Sequence, residues 1–299
     1  MLSKYDQQVK LLIKCFPAIR EEKCFAIKGG TAINLFLLNL PRLSVDIDLM
    51  YLPIEDRNTT YTNIYSSLDR ICKRLSSLGL KVTKSKNTEQ KIFCSNGKAE
   101  IKIEPNYTLR GHLYEPKIMP ICEKAENLFG FAKANIASPA ELWGGKICAA
   151  LDRQHPRDLF DIYNMFNLGG ITEEIKNGFI FFLLSSNRPI HEMLSPNMQL
   201  KENVFENEFI GMTSEKYDFS HAEQTFIDLV KNINIALSIS DRKFLIDFVQ
   251  LEADLSSSPI HNLDQYPSIL WKIKNLQTLK ENNKEKFNQQ AIRLKEILF

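Results

Sequence analysis

The sequence predicts an α+β protein, with a mixed β-sheet flanked by helices in its N-terminal part and a helical domain after it. Two observations predict this division. Runs typical of strands precede residue 105, and in the last of them, Lys98–Glu104, charged and apolar residues alternate strictly. From Ser138 onward, apolar residues recur at helical spacing. The boundary therefore lies near Ser138, which predicts domains over residues 1–137 and 138–299.

The elements before Ser138 follow from apolar periodicity and from residues that form turns. Gly29 and Gly30 interrupt the chain, and Pro41 ends the apolar helix that follows them. The predicted elements are, in order, helices over 2–16 and 31–39, a strand over 45–52, a helix over 58–78 and strands over 80–84, 91–95 and 98–104.

The helical part begins with a capping box. In S-P-A-E, Ser138 is the N-cap, Pro139 occupies the first helical position and Glu141 the third. The later predicted elements are a helix from Pro156 that ends at Gly169–Gly170, a helix from Thr172, an irregular segment over 187–216, and helices over 223–251 and from 268 to the end.

Composition restricts the class of protein. The 299 residues are 44% hydrophobic and 25% charged with a net charge of +2, which is typical of a globular protein without a global field for nucleic acid. The six scattered cysteines include no C-x-x-C pair, which argues against a zinc site and a disulfide framework. No signal peptide or membrane-length apolar run occurs. We therefore expect a cytoplasmic protein without a membrane partner.

The D-I-D pattern is the first candidate for chemistry. On a strand, Asp46 and Asp48 share one face, roughly 6.5–7 Å apart along it. Neighbouring carboxylates repel each other, and a divalent cation removes that repulsion. Carboxylate and phosphate oxygens are the ligands that Mg²⁺ prefers, with Mn²⁺ as an alternative ion. Two solvent-facing aspartates on an edge strand remain the other interpretation of this pattern alone.

The glycine turn is the second candidate. Gly29 and Gly30, followed by Thr31, let the backbone approach a ligand closely at a helix N-terminus, which favours anions. An ordinary turn explains the same residues when they are taken alone. The order of turn, helix and D-x-D strand, however, predicts a phosphate site beside a metal site. Glu104 is the better placed third carboxylate, because Glu100 shares its face but lies further back on the strand.

The combined arrangement resembles a known family. G-G-T, then R-x-S-x-D-I-D, then an acidic strand resembles the DNA polymerase beta-like nucleotidyltransferase superfamily. More closely, the chain resembles the AbiEii/AbiGii-type nucleotidyltransferase toxins of bacterial toxin–antitoxin and abortive-infection systems. The segments that carry the resemblance are KGGTAINLFLLNLPRLSVDIDLMYLPIEDR, IKIEPNYTLRG, ELWGGKICAALDRQHPRDLFDIY and, more weakly, RPIHEMLSPN and EFIGMT.

The resemblance implies a nucleotidyltransferase-type sheet, a helical domain that completes the active-site cleft, and roles for individual residues. Gly30 and Thr31 contact the nucleotide phosphates, together with the adjacent Gly29. Asp46 and Asp48 are catalytic metal ligands, with Glu104 as the third acidic ligand. A helical lysine and a downstream aspartate, here Lys146 and Asp158, are catalytic, with Asp161 the next candidate at the nucleotide.

Residue chemistry adds two arginines to the nucleotide-binding set. Lys146 and Arg153 are seven residues apart on one helix face, so both cations can reach the same phosphates. Arg42 flanks the D-I-D strand and either braces the metal site or contacts nucleotide. Asp158 has another explanation, because a carboxylate in the first turn of a helix is stabilised by the helix dipole or can tether Lys146.

We therefore expect an Mg²⁺-dependent enzyme that transfers a nucleoside monophosphate from a triphosphate to an acceptor hydroxyl. The resemblance implies a toxin that modifies a tRNA 3′ end, with a cognate DNA-binding antitoxin encoded nearby; whether that antitoxin binds the toxin directly is left open. The alternatives are transfer to a protein or to an antibiotic-like small molecule, and an inactive nucleotide-binding interaction module.

Overall fold

The computed structural model describes residues 4–258 and 260–299. These residues contain one seven-stranded mixed sheet. Its strands are β1 (Phe25–Lys28), β2 (Asp46–Tyr51), β3 (Lys81–Lys84), β4 (Ile92–Ser95), β5 (Glu100–Arg110), β6 (Lys117–Pro120) and β7 (Lys133–Ile136). Their spatial order is β3-β4-β5-β2-β1-β7-β6. The predicted mixed sheet with flanking and C-terminal helices is confirmed.

Helices precede, separate and follow these strands along the chain. They are α1 (Lys4–Arg20), α2 (Gly29–Ala32), α3 (Arg57–Ser77), α4 (Glu123–Phe129), α5 (Pro139–Arg153), α6 (Pro156–Asn167), α7 (Glu173–Ser185), α8 (Ile190–Leu194), α9 (Glu202–Glu208), α10 (Phe219–Ala236), α11 (Ile239–Gln250), α12 (Pro267–Asn282) and α13 (Lys284–Leu298). A π-helical segment covers Ile33–Leu37, and short 3₁₀ turns cover Leu255–Ser257 and Leu263–Gln265. Within the described residues, no helix has the length and apolar character needed to cross a membrane.

The described residues form two compact units. The first contains the sheet and extends to Leu142, and the short segment Gly211–Glu215 returns to it. The second is helical and comprises Trp143–Ile210 and Lys216–Phe299. The division between the units falls inside α5, between Leu142 and Trp143, whereas the sequence predicts a boundary near Ser138. Domains over 1–137 and 138–299 stay a prediction.

The centre of the sheet is the pair β2 and β5, which run parallel in register, while β1 lies antiparallel on the other side of β2. Ile47 and Leu49 of β2 and Ile103 of β5 are fully buried. Helices α1 and α3 pack against β5 and supply core residues of their own. Because side chains alternate along a strand, the residues between these isoleucines and leucines point to the other, less buried face.

Most predicted elements are confirmed, although their lengths differ. Helix α3 begins one residue before the predicted start, where the Asp56 side chain accepts hydrogen bonds from two backbone amides of its first turn. Strand β5 continues to Arg110 rather than ending at Glu104, because it pairs with β2 as far as Tyr51, which lies opposite Arg110. The four-residue strands β6 and β7 are not among the predicted elements.

Three predictions about helices are wrong. The helix predicted from 268 to the end is two helices, α12 and α13, because the Asn283 side chain caps α13. Residues 187–216 are not wholly irregular, because α8 and α9 lie within them; Phe205 and Phe209 are buried and place α9 in an aromatic cluster with Phe160. The predicted helix over 223–251 is two helices. Ser238 separates them, because its hydroxyl caps α11 in a reciprocal box with Asp241.

Candidate active site

The glycine turn lies against the D-I-D strand. Strand β1 ends at Lys28, and Gly29 follows with φ of +73°. A Cβ atom on Gly29 would overlap the Asp48 carboxylate, with the Asp48 Cγ only 3.3 Å away. Both the backbone conformation and the lack of space therefore require glycine at this position. The sequence prediction that the turn and the D-I-D strand adjoin each other is confirmed by this contact.

Gly30 has a similar constraint from a different neighbour. A Cβ atom there would lie 2.7 Å from Nη2 of Arg42 and 3.3 Å from the Ser44 hydroxyl. Arg42 is 3% exposed, and its guanidinium donates to the Leu43 carbonyl at 3.0 Å. Arg42 thus supplies positive charge directly behind the glycine turn, where sequence analysis expects a phosphate.

Thr31 braces the turn against the strand. Its Oγ1 lies 2.9 Å from the Ser44 hydroxyl and contacts the backbone carbonyl of Asp46. Thr31 is 1% exposed. Its hydroxyl therefore serves to fix the start of β2 in this structure, and its predicted contact with nucleotide stays a prediction.

The helix after the turn is short and changes its winding. Helix α2 passes into the π-helical segment after four residues, where the Leu38 amide bonds to the Ile33 carbonyl. The Asn34 side chain donates to the Gly30 carbonyl at 2.9 Å. The helix therefore ends at Leu37, two residues before the predicted end, and π-helical turns often occur near functional sites.

Two residues far along the chain, Met212 and Thr213, form hydrogen bonds to the loop that precedes β2. The Leu43 amide donates to the Met212 carbonyl at 2.8 Å, and the Thr213 hydroxyl donates to the Pro41 carbonyl at 2.8 Å. Arg42 and Thr213 also form an isolated β-bridge. The segment EFIGMT, to which sequence analysis assigns no chemistry, thus ends in residues that fix the backbone around Arg42.

The three predicted metal ligands share one face of the sheet. In the parallel pairing of β2 with β5, Asp48 lies directly opposite Glu104, and Asp46 lies opposite Lys102. All four side chains are half-buried, whereas the residues between them are buried. The register therefore aligns the two aspartates and Glu104 on one face of the sheet and places a lysine among them; their role as metal ligands stays a prediction.

Two lysines form ion pairs with the Glu104 carboxylate. Nζ of Lys102 lies 2.6 Å from its Oε2, and Lys91 forms an ion pair with Oε1. Burial favours the neutral acid, but hydrogen bonds from Lys102 and Lys91 outweigh burial and lower the pKa of Glu104. The Glu104 hydrogen bond, together with the charges of Asp46 and Asp48, raises the pKa of Lys102. Glu104 is therefore ionised, and the side chains of Lys91 and Lys102 partly neutralise its charge.

The donor set fits a hard divalent cation in kind, because it consists of carboxylate oxygens on one face. Within residues 4–258 and 260–299, however, no three acidic, histidine or cysteine side chains converge as a preformed metal cage. The lysine contacts of Glu104 explain this arrangement. Binding by all three carboxylates would require Glu104 to exchange a lysine contact for the cation.

The lysine and aspartate predicted from the resemblance meet in the helical unit. Lys146 on α5 lies 2.7 Å from Asp158 and 3.0 Å from Asp161, both on α6. All three side chains are buried, with 6%, 1% and 0% exposed. The Lys146 ammonium is therefore enclosed between two carboxylates, which is the tethering arrangement that the sequence left open as an alternative for Asp158.

Arg153 completes this cluster from the surface. Its guanidinium forms an ion pair with Asp158, while 62% of its side chain is exposed. Burial would raise the pKa of Asp158, but the charge of Lys146 and the hydrogen bond from Arg153 hold it well below its usual range. Asp158 is thus a permanent carboxylate that orients one buried and one accessible cation.

The sequence assigns Lys102 to phosphate-binding charge or a solvated strand edge and not to the carboxylate face, and it assigns no role to Met212 or Thr213. Lys102 alternates with Ile101 and Ile103, so its position on the Glu104 face was available from the pattern. The backbone contacts of Met212 and Thr213 had no such signal, because no local pattern specifies which distant residues pair.

A family model matches most of this chain. Residues 10–235 match the family model described as nucleotidyl transferase AbiEii toxin, type IV toxin–antitoxin system. A comparison with curated protein sequences gives no match.

Two solved structures match this chain, and the first of them is similar to it in fold. MenT4, a nucleotidyltransferase toxin from Mycobacterium tuberculosis H37Rv, has 14% identity and a TM-score of 0.61, over 91% of this chain and 93% of its own. JHP933 from Helicobacter pylori has 15% identity and a TM-score of 0.45, over 78% of this chain and 93% of its own. Because the family model spans most of the 299 residues, the chain belongs to the AbiEii family of nucleotidyltransferase toxins of type IV toxin–antitoxin systems and is a nucleotidyltransferase.

Proposed function

We propose that the protein uses Mg²⁺, or Mn²⁺ in its place, to transfer a nucleoside monophosphate from a nucleoside triphosphate to an acceptor hydroxyl, most specifically the 3′ end of a tRNA. The observation that carries this proposal is the register of β2 and β5, which aligns Asp46, Asp48 and Glu104 on one face beside the Gly29–Gly30 turn. Paired carboxylates next to a glycine turn suit a metal-bound triphosphate.

Asp46, Asp48 and Glu104 would hold the cation. When bound, the cation supplies Lewis-acid stabilisation of phosphate charge and lowers the pKa of the acceptor hydroxyl. Because Gly29 and Gly30 have no side chains, the Asp48 carboxylate and the Arg42 guanidinium pack closely against the turn, which places both charges where metal-bound phosphates would bind. Lys102 neutralises the carboxylates before the substrate enters and competes with the cation for Glu104.

The Lys146 cluster supports a second part of the proposal. Arg153 has the exposure that a phosphate contact needs, and a guanidinium can bind phosphate through two parallel hydrogen bonds. Asp158 fixes the orientation of Arg153, and Asp161 with Lys146 balances the buried charge. We propose that Lys146 and Asp158 contribute to catalysis through this arrangement and that Arg153 makes the direct phosphate contact.

The acceptor and partner are proposed from the family. The resemblance implies modification of a tRNA 3′ end, and exposed lysines near β3 and β5 offer sites for RNA phosphates; these are Lys81, Lys84, Lys86 and Lys98. Lys84 already pairs with Asp69, which limits that support. A type IV system includes an antitoxin. We propose a DNA-binding antitoxin encoded nearby and a cytoplasmic site of action, where triphosphates and tRNA occur together.

A transfer assay tests this function. The protein is incubated with each labelled nucleoside triphosphate, Mg²⁺ and total tRNA, in parallel with Asp48→Ala and with the divalent ion chelated. Label entering tRNA only with the intact aspartate and free Mg²⁺ supports the proposal. Activity with Mn²⁺ alone would replace Mg²⁺ as the ion while leaving the reaction intact.

The same assay separates the other candidate functions. Label on a protein or a small molecule, with none on tRNA, would identify a nucleotidyltransferase with a different acceptor. Nucleotide binding without transfer to any acceptor would contradict the proposed reaction and leave a binding module.

A further inference from the structure

A cavity in the helical unit has features of a ligand site that the proposed reaction does not use. It has a volume of about 380 Å³ and lies between α8, with the preceding Pro189, and the first turns of α13. Ligand pockets for small molecules begin at about 300 Å³. The α8 side belongs to the segment RPIHEMLSPN, which the resemblance singles out and which has no role in the reaction described above.

A buried histidine without a partner lines the cavity. His191 is 8% exposed, and its Nε2 is buried with no hydrogen-bond partner among the residues that the structure describes. Burial, aided by the charge of Arg293 and opposed by Glu192, lowers the pKa of His191. The neutral ring offers one donor and one acceptor. An unsatisfied buried nitrogen is costly, so a ligand that bonds to it gains affinity.

One face of α13 supplies the opposite wall. Lys286, Gln290 and Arg293 follow at intervals of four and three residues, which aligns them along the helix. Gln290 is 9% exposed, and its amide forms no hydrogen bond to any other part of the described chain. A second buried polar group is therefore available, and an amide can pair with the edge of a nucleobase.

The two cations of the cavity have no acidic partner in direct contact within the described part of the chain. Lys286 and Arg293 form no ion pairs within residues 4–258 and 260–299. The lining also contains two acidic residues: Glu192 forms an ion pair with Arg188 at 3.2 Å, and Glu285 accepts a hydrogen bond at 3.2 Å from Gln289 of the same lining, an amide that does not neutralise its charge. The cavity thus combines neutral hydrogen-bonding groups with two cations that form no ion pair with these carboxylates, and Lys286 and Arg293 are the groups that can bind an anion carrying a polar ring.

We propose that this cavity binds one phosphorylated nucleoside, with its phosphate on Lys286 and Arg293 and its base or ribose against His191 and Gln290. The ligand is either a free nucleotide or one nucleotide of an RNA chain. The RNA form rests on the proposed RNA acceptor, whereas the free-nucleotide form does not. In both forms the helical unit contributes a binding site and not only support for the fold.

Hydrogen exchange on the full chain tests the proposal. Exchange is measured over residues 190–194 and 284–298 with each nucleoside monophosphate, with a short single-stranded RNA and with inorganic phosphate. The variants are Arg293→Gln and, as a matched control, Lys295→Gln, which removes an exposed lysine of α13 outside the cavity lining. We expect protection of both segments in wild type and in Lys295→Gln, and at least about tenfold weaker binding in Arg293→Gln.

The different ligands show whether the bound nucleotide is free or belongs to an RNA chain. Protection by a monophosphate identifies a free-nucleotide site, and protection by RNA alone identifies an RNA-docking site. Equal protection by inorganic phosphate, no protection by any ligand, or protection that survives Arg293→Gln would overturn the proposal. The experiment is repeated with Asp48→Ala, in which cavity protection should persist, so that failure of transfer and failure of cavity binding are seen separately.

Discussion

Asp48 lies directly opposite Glu104 on the neighbouring parallel strand, while its own carboxylate fills the space beside Gly29. One aspartate therefore joins the phosphate-facing turn to the acidic strand. Removing its charge should affect both parts of the proposed site.

Asp48→Asn should lower nucleotidyl transfer by about 100-fold or more, because it removes charge where the cation and phosphates are held. The control is Glu100→Gln, since Glu100 lies exposed at the start of β5. Steady-state transfer rates check the pair. Equal rates for Asp48→Asn and wild type would remove Asp48 from the site.

Gly29→Ala should destabilise the fold by more than the ~1–2 kcal/mol expected for a left-handed backbone alone, because its Cβ would also overlap Asp48. Gly97→Ala is the matched control, with φ of +83° and no atom within 4 Å of the added Cβ. Thermal unfolding and transfer rates are measured on both. We expect only Gly29→Ala to lose transfer; comparable losses in the two variants would show that backbone strain alone is responsible.

Lys102→Met should strengthen binding of Mg²⁺, because Lys102 competes with the cation for Glu104. Without the ion, the variant should be less stable by about 1 kcal/mol or less, since the lysine is one third exposed. Melting temperature against Mg²⁺ concentration measures both effects. Lys98→Met removes a lysine outside this cluster and should match wild type; a similar Mg²⁺ response in all three proteins would exclude competition.

Asp158→Asn should destabilise the protein by about 3–5 kcal/mol, because it leaves Lys146 buried with one carboxylate instead of two. The pKa of Asp158 is lower in the folded protein than in the unfolded chain, where it is about 3.9. The contribution of Asp158 to the free energy of unfolding is therefore complete above the unfolded pKa and is lost as the pH falls from there towards the folded pKa. Wild type should therefore lose stability in acid more steeply than the variant. Denaturant unfolding across acidic pH measures this slope. Asp152→Asn, at an exposed pair with Arg188, serves as the control.

Arg153→Met should raise the KM for the triphosphate by about tenfold while changing stability by about 1 kcal/mol or less, because most of the side chain is exposed. Substrate titration and thermal unfolding separate the two effects. Arg157→Met, at a surface arginine near Glu208, should leave KM unchanged. A variant that lost stability but kept its KM would make Arg153 purely structural.

The sequence by itself determined the elements whose signals are local. Ser138 and Glu141 form the predicted cap of α5, where the Glu141 amide donates to the Ser138 hydroxyl at 3.2 Å. Thr172 caps α7, and Gly169 and Gly170 follow α6 with positive φ. Strict alternation likewise put Asp46 and Asp48 on one strand face. Each of these features depends on residues a few positions apart, which a sequence pattern records directly.

Tertiary structure decided what depends on partners far along the chain. The Thr213 hydroxyl bonds to the Pro41 carbonyl, 172 residues away. The pairing of β2 with β5 sets Lys102 among the carboxylates, and the enclosure of Lys146 gives Asp158 a structural task beside its proposed catalytic one. Burial and backbone pairing select such contacts, and neither is encoded in the spacing of nearby residues.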